Sequence, residues 1–460
     1  MSNSLKFGTS GLRGLAADLI GAEARRYAAS FARHAMAGRS GSPLLVGRDL
    51  RASSPAIAAD VIGAVRGLGI EVSDCGALPT PALALEAMRM VAPAIMVTGS
   101  HIPADRNGLK FYLPAGEIDK ATEAAILAGL GEAPTGDGHV PPEAGALRRY
   151  RDRYLPVLPR DALGGLRIGV WQHSSVVRDL LVEILDAFGA EVVALGRSET
   201  FIPVDTEAIS SDVASELAGW VRAYQLDAIV SADGDADRPL FVDETGTVIR
   251  GDVVGILTAK FLRADAVVTP VTSNSSIEAT GLFEQVIRTR VGSPYVISAM
   301  QSARAGVVVG FEANGGVLLG TDVQINGAAL PALPTRDAVL PILGVLGAAR
   351  AAGQTLSQLV ATLPPRVARS DRLEHVPQER SAALLLELKA GAARFFAAQG
   401  QVADVSDIDG LRFTLATGDV VHYRPSGNAP ELRCYVEAPT AARADELLEW
   451  GLKAAEAVVR

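Results

Sequence analysis

Apolar residues in this chain come in short runs, each followed by a polar, serine-containing loop and a stretch with helical spacing. Leu44-Leu-Val46 leads through Gly47–Ser54 into an amphipathic segment near 55–68, then a second apolar run at Ile70–Val72. The same order recurs at Leu166–Val170, Gln172–Ser175, 176–188 and Ala190–Val193. It recurs again at Ala266–Val268, Thr272–Ser276, a shorter helical stretch and Gln285–Ile287. Brief apolar runs alternating with segments of 3.6-residue period predict strand–helix–strand units. Three copies predict three related α/β domains with mixed, mostly parallel sheets covered by helices. Beyond about residue 366 the pattern changes. A helix at 381–399, strands at Leu411–Ala416, Val420–Tyr423 and Leu432–Glu437, and a long helix from Ala441 predict a smaller α+β domain.

A chain of 460 residues is too long for one core. Proline- and glycine-rich stretches at Gly131–Gly145, near Gly251 and at Pro364-Pro365 suggest where it divides. The expected domains are 1–145, 146–250, 251–365 and 366–460.

Composition narrows the class. A hydrophobic content of 48% with 21% charge suits a well-packed soluble protein and excludes long disorder. Cys75 and Cys434 are the only cysteines, each within an apolar run, so neither a disulfide framework nor a zinc site is indicated. A net charge of −9 argues against nucleic acid or an anionic membrane as partner, yet leaves room for a phosphorylated small molecule held by local arginines. The N-terminus lacks the basic and apolar regions of a signal peptide. The longest apolar stretch, Ala338–Ala349, is too short to span a bilayer and contains a proline. The expected location is the cytoplasm.

Chemistry concentrates in a few loops. Ser231-Ala-Asp-Gly-Asp-Ala-Asp-Arg238 places three carboxylates at alternate positions between two strand-like runs. Crowded carboxylates repel one another and raise their pKa values, so a bound cation is expected. Oxygen ligands from Asp233, Asp235 and Asp237 favour Mg²⁺ or Ca²⁺ over zinc. An EF-hand count from Asp233 reaches Glu244 at position 12, but Arg238 stands where that loop needs glycine and the flanks read as strands.

Val97-Thr-Gly-Ser-His-Ile-Pro103 sets Ser100 after a small Gly99 at a strand end, where little side chain covers it. The short spacing puts His101 and Lys110 within reach of the same cavity. Phe7-Gly-Thr-Ser-Gly-Leu-Arg-Gly14 can bring backbone N–H groups and Arg13 to an anion. Arg424-Pro-Ser-Gly-Asn-Ala-Pro430, with Arg433 beyond, offers guanidinium, hydroxyl and glycine to a phosphate. Gly310-Phe-Glu-Ala-Asn-Gly-Gly316 puts a carboxylate and an amide on a mobile glycine loop suited to sugar hydroxyls.

Taken in order, these loops resemble those of the α-D-phosphohexomutases, the phosphomannomutases and phosphoglucomutases, from Phe7 to Glu437. The resemblance implies four domains around a central cleft, three α/β and a fourth that binds phosphate as a lid. It implies that Ser100 is the phosphoserine, with Asp233, Asp235 and Asp237 as Mg²⁺ ligands and the serine phosphate as a further one. Arg13 and Arg238 correspond to groups that steady the phosphoryl, and His101 and Lys110 to candidate proton-transfer groups. Glu312 and Asn314 fall on the sugar loop, and Arg424, Ser426, Gly427, Asn428 and Arg433 on the distant phosphate clamp. The implied reaction exchanges hexose 1-phosphate and 6-phosphate, mannose foremost and glucose also. Its activator would be glucose 1,6-bisphosphate or mannose 1,6-bisphosphate.

The chain departs from the common pattern at Ile102, at Asn314 and Gly316, and at Asn428-Ala429. The last two departures bear on specificity. A phosphoglucosamine mutase, a metal-dependent sugar phosphatase and a calcium-binding module remain open, as does the choice between monomer and homodimer.

Overall fold

In the computed structural model all residues are described except 1–3, 9, 10, 40, 144, 427–429 and 460. Contacts divide the chain into two compact units. Residues 1–267 and 292–360 form one, and 268–291 with 361–460 form the other.

Among the described residues the first unit holds two large complete sheets and a two-stranded one, Val323–Ile325 with Ala328–Leu330. One runs Lys6–Phe7, Leu12–Leu15, Arg106–Leu113, Ala94–Val97, Leu44–Arg48, Val72–Ala77, with Gly116–Glu117 paired to Arg106–Leu113. Leu44–Arg48 is parallel to both its neighbours, whereas Arg106–Leu113 is antiparallel to Ala94–Val97 and to Leu12–Leu15. Helices Ala22–Ala35 and Ser54–Gly67 contribute Phe31, Ile57 and Val61 to a core with Val46, Ile95 and Phe111. The strand expected at Ile70–Val72 begins only at Val72, because the chain turns through Gly69 at φ +76 before it can extend.

The second sheet runs Val248–Ile249, Pro239–Asp243, Ala228–Ala232, Arg167–Trp171, Glu191–Leu195. Its last three strands are parallel, and Pro239–Asp243 returns antiparallel to Ala228–Ala232. The aspartate loop is therefore the connection of a hairpin, and strands, not helices, flank it. That flank removes the EF-hand reading, and Glu244 bonds the Ser357 N–H and hydroxyl. Farther along, Val308–Phe311, Val317–Leu319 and Leu333–Asp337 pair antiparallel. The apolar stretch near Ala338 is the buried helix Val339–Ala352. No helix among the described residues is long and apolar enough to cross a membrane.

In the second unit, strands Val367–Glu374, Glu431–Ala438, Val420–Pro425, Leu411–Leu415 and Val402–Ser406 form one antiparallel sheet in that order. Helices Gln378–Phe395, kinked at Gly391, and Ala441–Val459 supply the α+β character expected from the sequence. Cys434 lies in this core and Cys75 in the first unit, both free, with burial pushing each thiol up to about 12.

Two histidines buried in these cores give a pH signature. His173 and His422 each spend one ring nitrogen on a backbone carbonyl and leave Nδ1 buried without a partner. Burial pulls each imidazole down to about 4. The unfolded chain takes up those protons near the ordinary histidine value, so it binds more protons between about pH 6.5 and about pH 4. Stability is complete above that window and falls as pH drops through it, by about 1.4 kcal/mol per unit for each histidine. Denaturant midpoints measured from about pH 7.5 to about pH 5 should show this slope, and His422→Gln should lessen it. An unchanged slope removes His422 from the account.

Candidate active site

Ser100 follows strand Ala94–Val97 in a left-handed turn, φ +53, that a non-glycine residue adopts only when its surroundings insist. Those surroundings begin with Arg51, whose guanidinium donates to the carbonyls of Ser100, Ile102, Pro103 and Arg106 at 2.6–2.9 Å. Asp49 accepts from Thr98 Oγ1 at 2.7 Å, and Thr98 Oγ1 in turn accepts the Ser100 N–H at 2.8 Å. Gly99 serves this packing. A Cβ there would lie 2.7 Å from Arg51 Cζ. The expectation of an uncovered serine is therefore corrected: Ser100 is only 1% exposed. Its Oγ donates to Asp233 Oδ2 at 2.5 Å and lies 3.3 Å from His101 Nδ1.

The aspartate loop is pinned from behind. His173 Nε2 bonds the Ala232 carbonyl, Ser175 Oγ donates to that of Asp233, and Thr80 N–H to that of Asp235. Ala236 completes the turn at φ +59. Asp233, Asp235 and Asp237 are all buried, with one ligand oxygen from each within 4.8 Å of the others. Among the described residues this is the only such group. Asp235 Oδ1 and Asp237 Oδ1 are buried without a hydrogen-bond partner. Two orphaned carboxylate oxygens facing a third carboxylate fit a hard cation.

Uniform repulsion among the three carboxyls, expected from spacing, is corrected by the cations around them. Lys110 Nζ donates to Asp235 Oδ2 at 2.6 Å and Asp237 Oδ2 at 2.7 Å, and Arg336 adds bonds of 3.1 and 2.6 Å to Asp237 Oδ2. Burial pushes Asp237 up, but Arg336, Lys110 and Arg238 together hold it well below the usual carboxylate range. Asp233 feels Arg238 but neither Lys110 nor Arg336 bonds it, and the cation does not offset the rest. Burial, then Asp235 and Asp237, raise it well above that range.

The two proton-transfer candidates separate. Burial pulls Lys110 down, yet Asp235 and Asp237 outweigh it and leave the ammonium more strongly protonated than usual. Burial, with Arg238 and Arg13 nearby, pulls His101 down to about 2, so its ring is neutral at working pH. Arg13 lies on strand Leu12–Leu15 opposite Gly108. Burial, with Arg238 and Arg336, lowers it to about 10, still protonated.

Glu312 and Asn314 follow strand Val308–Phe311 in a turn through Gly315 at φ +84. They are 5% and 3% exposed, so both side chains are packed. Thr206 Oγ1 donates to the Asn314 carbonyl at 3.1 Å. Asp205 and Glu207 lie 3.8 Å from Arg238 Nη1.

All these residues belong to the first unit. In the second, Arg424 and Arg433 face each other on adjacent strands. Arg424 Nε donates to Asp409 Oδ2 at 2.7 Å, and Ser426 N–H to the Glu431 carbonyl at 2.9 Å. Gly427 and Asn428 lie outside the described residues. Sequence reasoning missed Asp49, Arg51, Thr80 and Arg336. Arg51 stood in a loop noted only as polar, and nothing local marks Arg336.

Models of four protein domains match this chain. They are the phosphoglucomutase/phosphomannomutase alpha/beta/alpha domains I (residues 4–135), II (150–246) and III (250–367), and the C-terminal domain (366–449). A phosphomannomutase of Sinorhizobium fredii is 53% identical over 97% of this chain and 98% of its own length. One from Salmonella muenchen is 42% identical, covering 97% and 95%. In fold, the chain matches a phosphoglucomutase/phosphomannomutase family protein from Burkholderia thailandensis with a TM-score of 0.80, at 21% identity, over 100% of this chain and 99% of that one. A buried serine beside a carboxylate triad, on four such domains, defines a phosphoryl-transferring mutase. The chain belongs to the phosphoglucomutase/phosphomannomutase family.

Proposed function

We propose that this enzyme interconverts the 1- and 6-phosphates of mannose, and of glucose as a second substrate, through a phosphoserine at Ser100 and a bisphosphorylated sugar. The observation that carries the reading is the Ser100 hydroxyl, 2.5 Å from Asp233 and held in a strained turn. Asp233, Asp235 and Asp237, with an oxygen of the serine phosphate, are the residues to hold Mg²⁺. Mg²⁺ would neutralise charge on the transferring phosphoryl.

The chain's own groups supply the rest. A sugar hydroxyl forms a new O–P bond as the Ser100 Oγ–P bond breaks, and its proton goes to a base. His101, whose Nδ1 lies 3.3 Å from Ser100 Oγ, and Lys110, bonded to Asp235 and Asp237, are the candidates to take that proton. Arg13 and Arg238 steady the phosphoryl oxygens. Glu312 and Asn314 take sugar hydroxyls in either orientation, so the bisphosphate can turn and return its other phosphate to Ser100. Arg424, Ser426, Gly427, Asn428 and Arg433 are assigned to the phosphate that is not reacting. Glucose 1,6-bisphosphate or mannose 1,6-bisphosphate would prime the serine.

A coupled assay with mannose 1-phosphate, Mg²⁺ and catalytic glucose 1,6-bisphosphate should show mannose 6-phosphate. Release of inorganic phosphate without isomerisation would make the protein a phosphatase. Mannose and glucose 1-phosphates are expected to have kcat/KM within about tenfold of each other, because hydroxyl contacts from Glu312 and Asn314 leave C2 unread. Glucosamine 1-phosphate should be poorer. The acids near the sugar loop that could hold an ammonium, Asp205 and Glu207, already sit against Arg238. A clear preference for glucosamine 1-phosphate would overturn the choice of sugar and leave the mutase reaction standing.

A further inference from the structure

Arg336 is 3% exposed and joins two loops that the sequence places far apart. Its Nε and Nη2 donate to Asp237 Oδ2, and its Nη1 donates to Glu312 Oε2 at 2.5 Å and to Ser293 Oγ at 2.9 Å. The stem lies against Gly316, where a Cβ would meet Arg336 Cδ at 2.7 Å and the Asp237 carbonyl oxygen at 2.6 Å. Gly316 is thus a close-approach glycine that lets the arginine through.

On each carboxylate the guanidinium engages one oxygen only. Lys110 and Arg336 share Asp237 Oδ2, and Oδ1 is left buried without a hydrogen bond, with Arg238 Nε 3.5 Å away. On Glu312, Arg336 and the longer 3.4 Å contact from Asn314 both fall on Oε2. A planar fork bonded to two carboxylates fixes their separation and the direction in which their other oxygens face.

We propose that Arg336 is a positioning residue that couples the metal loop to the sugar loop, turning Asp237 Oδ1 toward the cation and Glu312 Oε1 toward a sugar hydroxyl. This deepens the function proposed above and rests on it for the identity of the sugar. Loss of either carboxylate bond changes the pull on the other, so a substitution at Glu312 reaches the cation through Arg336.

The test is a double-mutant cycle read by calorimetric titration of the full chain with Mg²⁺, using wild type, Glu312→Gln, Arg336→Met and the double variant. Glu312→Gln frees the guanidinium to draw harder on Asp237, and should weaken Mg²⁺ binding about threefold or more. In the Arg336→Met background the same change should leave the Mg²⁺ affinity unaltered. A purely structural arginine gives no such non-additivity.

Arg336→Lys, which keeps the charge without the fork, should raise KM for mannose 1-phosphate about tenfold with kcat within about threefold. It replaces Arg336→Met in the cycle if that variant does not fold. Equal Mg²⁺ shifts in both backgrounds, no shift in either, or an unchanged KM in Arg336→Lys overturns the proposal. The Mg²⁺ titrations need no turnover, so a wild type inactive on mannose 1-phosphate would sink the sugar assignment while the coupling is still judged.

Discussion

Ser100→Ala and Ser100→Gly are both expected to lose turnover by at least about 10³-fold, because each removes the oxygen that carries the phosphoryl group. Their stabilities should differ. The φ of +53 at Ser100 costs a residue with a Cβ about 1–2 kcal/mol, which glycine does not incur. Both variants lose the hydrogen bond to Asp233, and only alanine keeps that strain. Ser100→Gly should therefore melt above Ser100→Ala by the equivalent of about 1 kcal/mol. Intact-mass and peptide analysis of active wild type should find one phosphoryl group, on Ser100. A variant that keeps near wild-type rate would take Ser100 out of the mechanism, and equal melting of the two would deny that the turn is strained.

Asp233→Asn and Asp235→Asn are expected to lose turnover alike, by about 10²-fold or more, yet to part in stability when no metal is present. The folded pKa of Asp233 is raised, so its favourable contribution is complete below the ordinary carboxylate value and is lost as pH rises through the folded value. Near neutral pH in EDTA it is a burden that asparagine lacks. Asp233→Asn should then melt at or above wild type.

Asp235 is different, because its Oδ2 receives both Lys110 Nζ and Thr80 Oγ1 at 2.6 and 2.5 Å. Neutralising it leaves the buried ammonium with one carboxylate in place of two, a cost of about 1–3 kcal/mol. Thermal melts in EDTA and in Mg²⁺ separate these cases, and both variants should lose the stabilisation that Mg²⁺ gives wild type. Equal destabilisation of the two in EDTA would mean that the cations do not distinguish the aspartates as the geometry requires.

Much of this enzyme was legible in its sequence. Strand–helix alternation depends on neighbouring residues, since periodicity sets which side chains share a face. That is why the strands around Leu44, Leu166 and Leu411 fell within a residue or two of their expected places. The Asp233–Arg238 spacing marked a candidate cation loop for the same local reason, three carboxylates within one turn. Where the reading failed, the deciding partner was remote in the chain. Lys110 is 125 residues from Asp235, and Arg336 is 99 from Asp237. Which aspartate is raised and which depressed follows from those cations, so the repulsion predicted from spacing persists at Asp233 and is overcome by Lys110 and Arg336 at Asp237. Ser100 looked uncovered because Gly99 precedes it, but the absent Cβ admits Arg51, and the two meet only after the loop and strand pack. Local pattern thus determined the domains' character and the chemical types at the site. Only tertiary packing decided their charges, their burial and the tie through Arg336, because Coulomb and hydrogen-bond terms depend on distances in space that sequence separation does not encode.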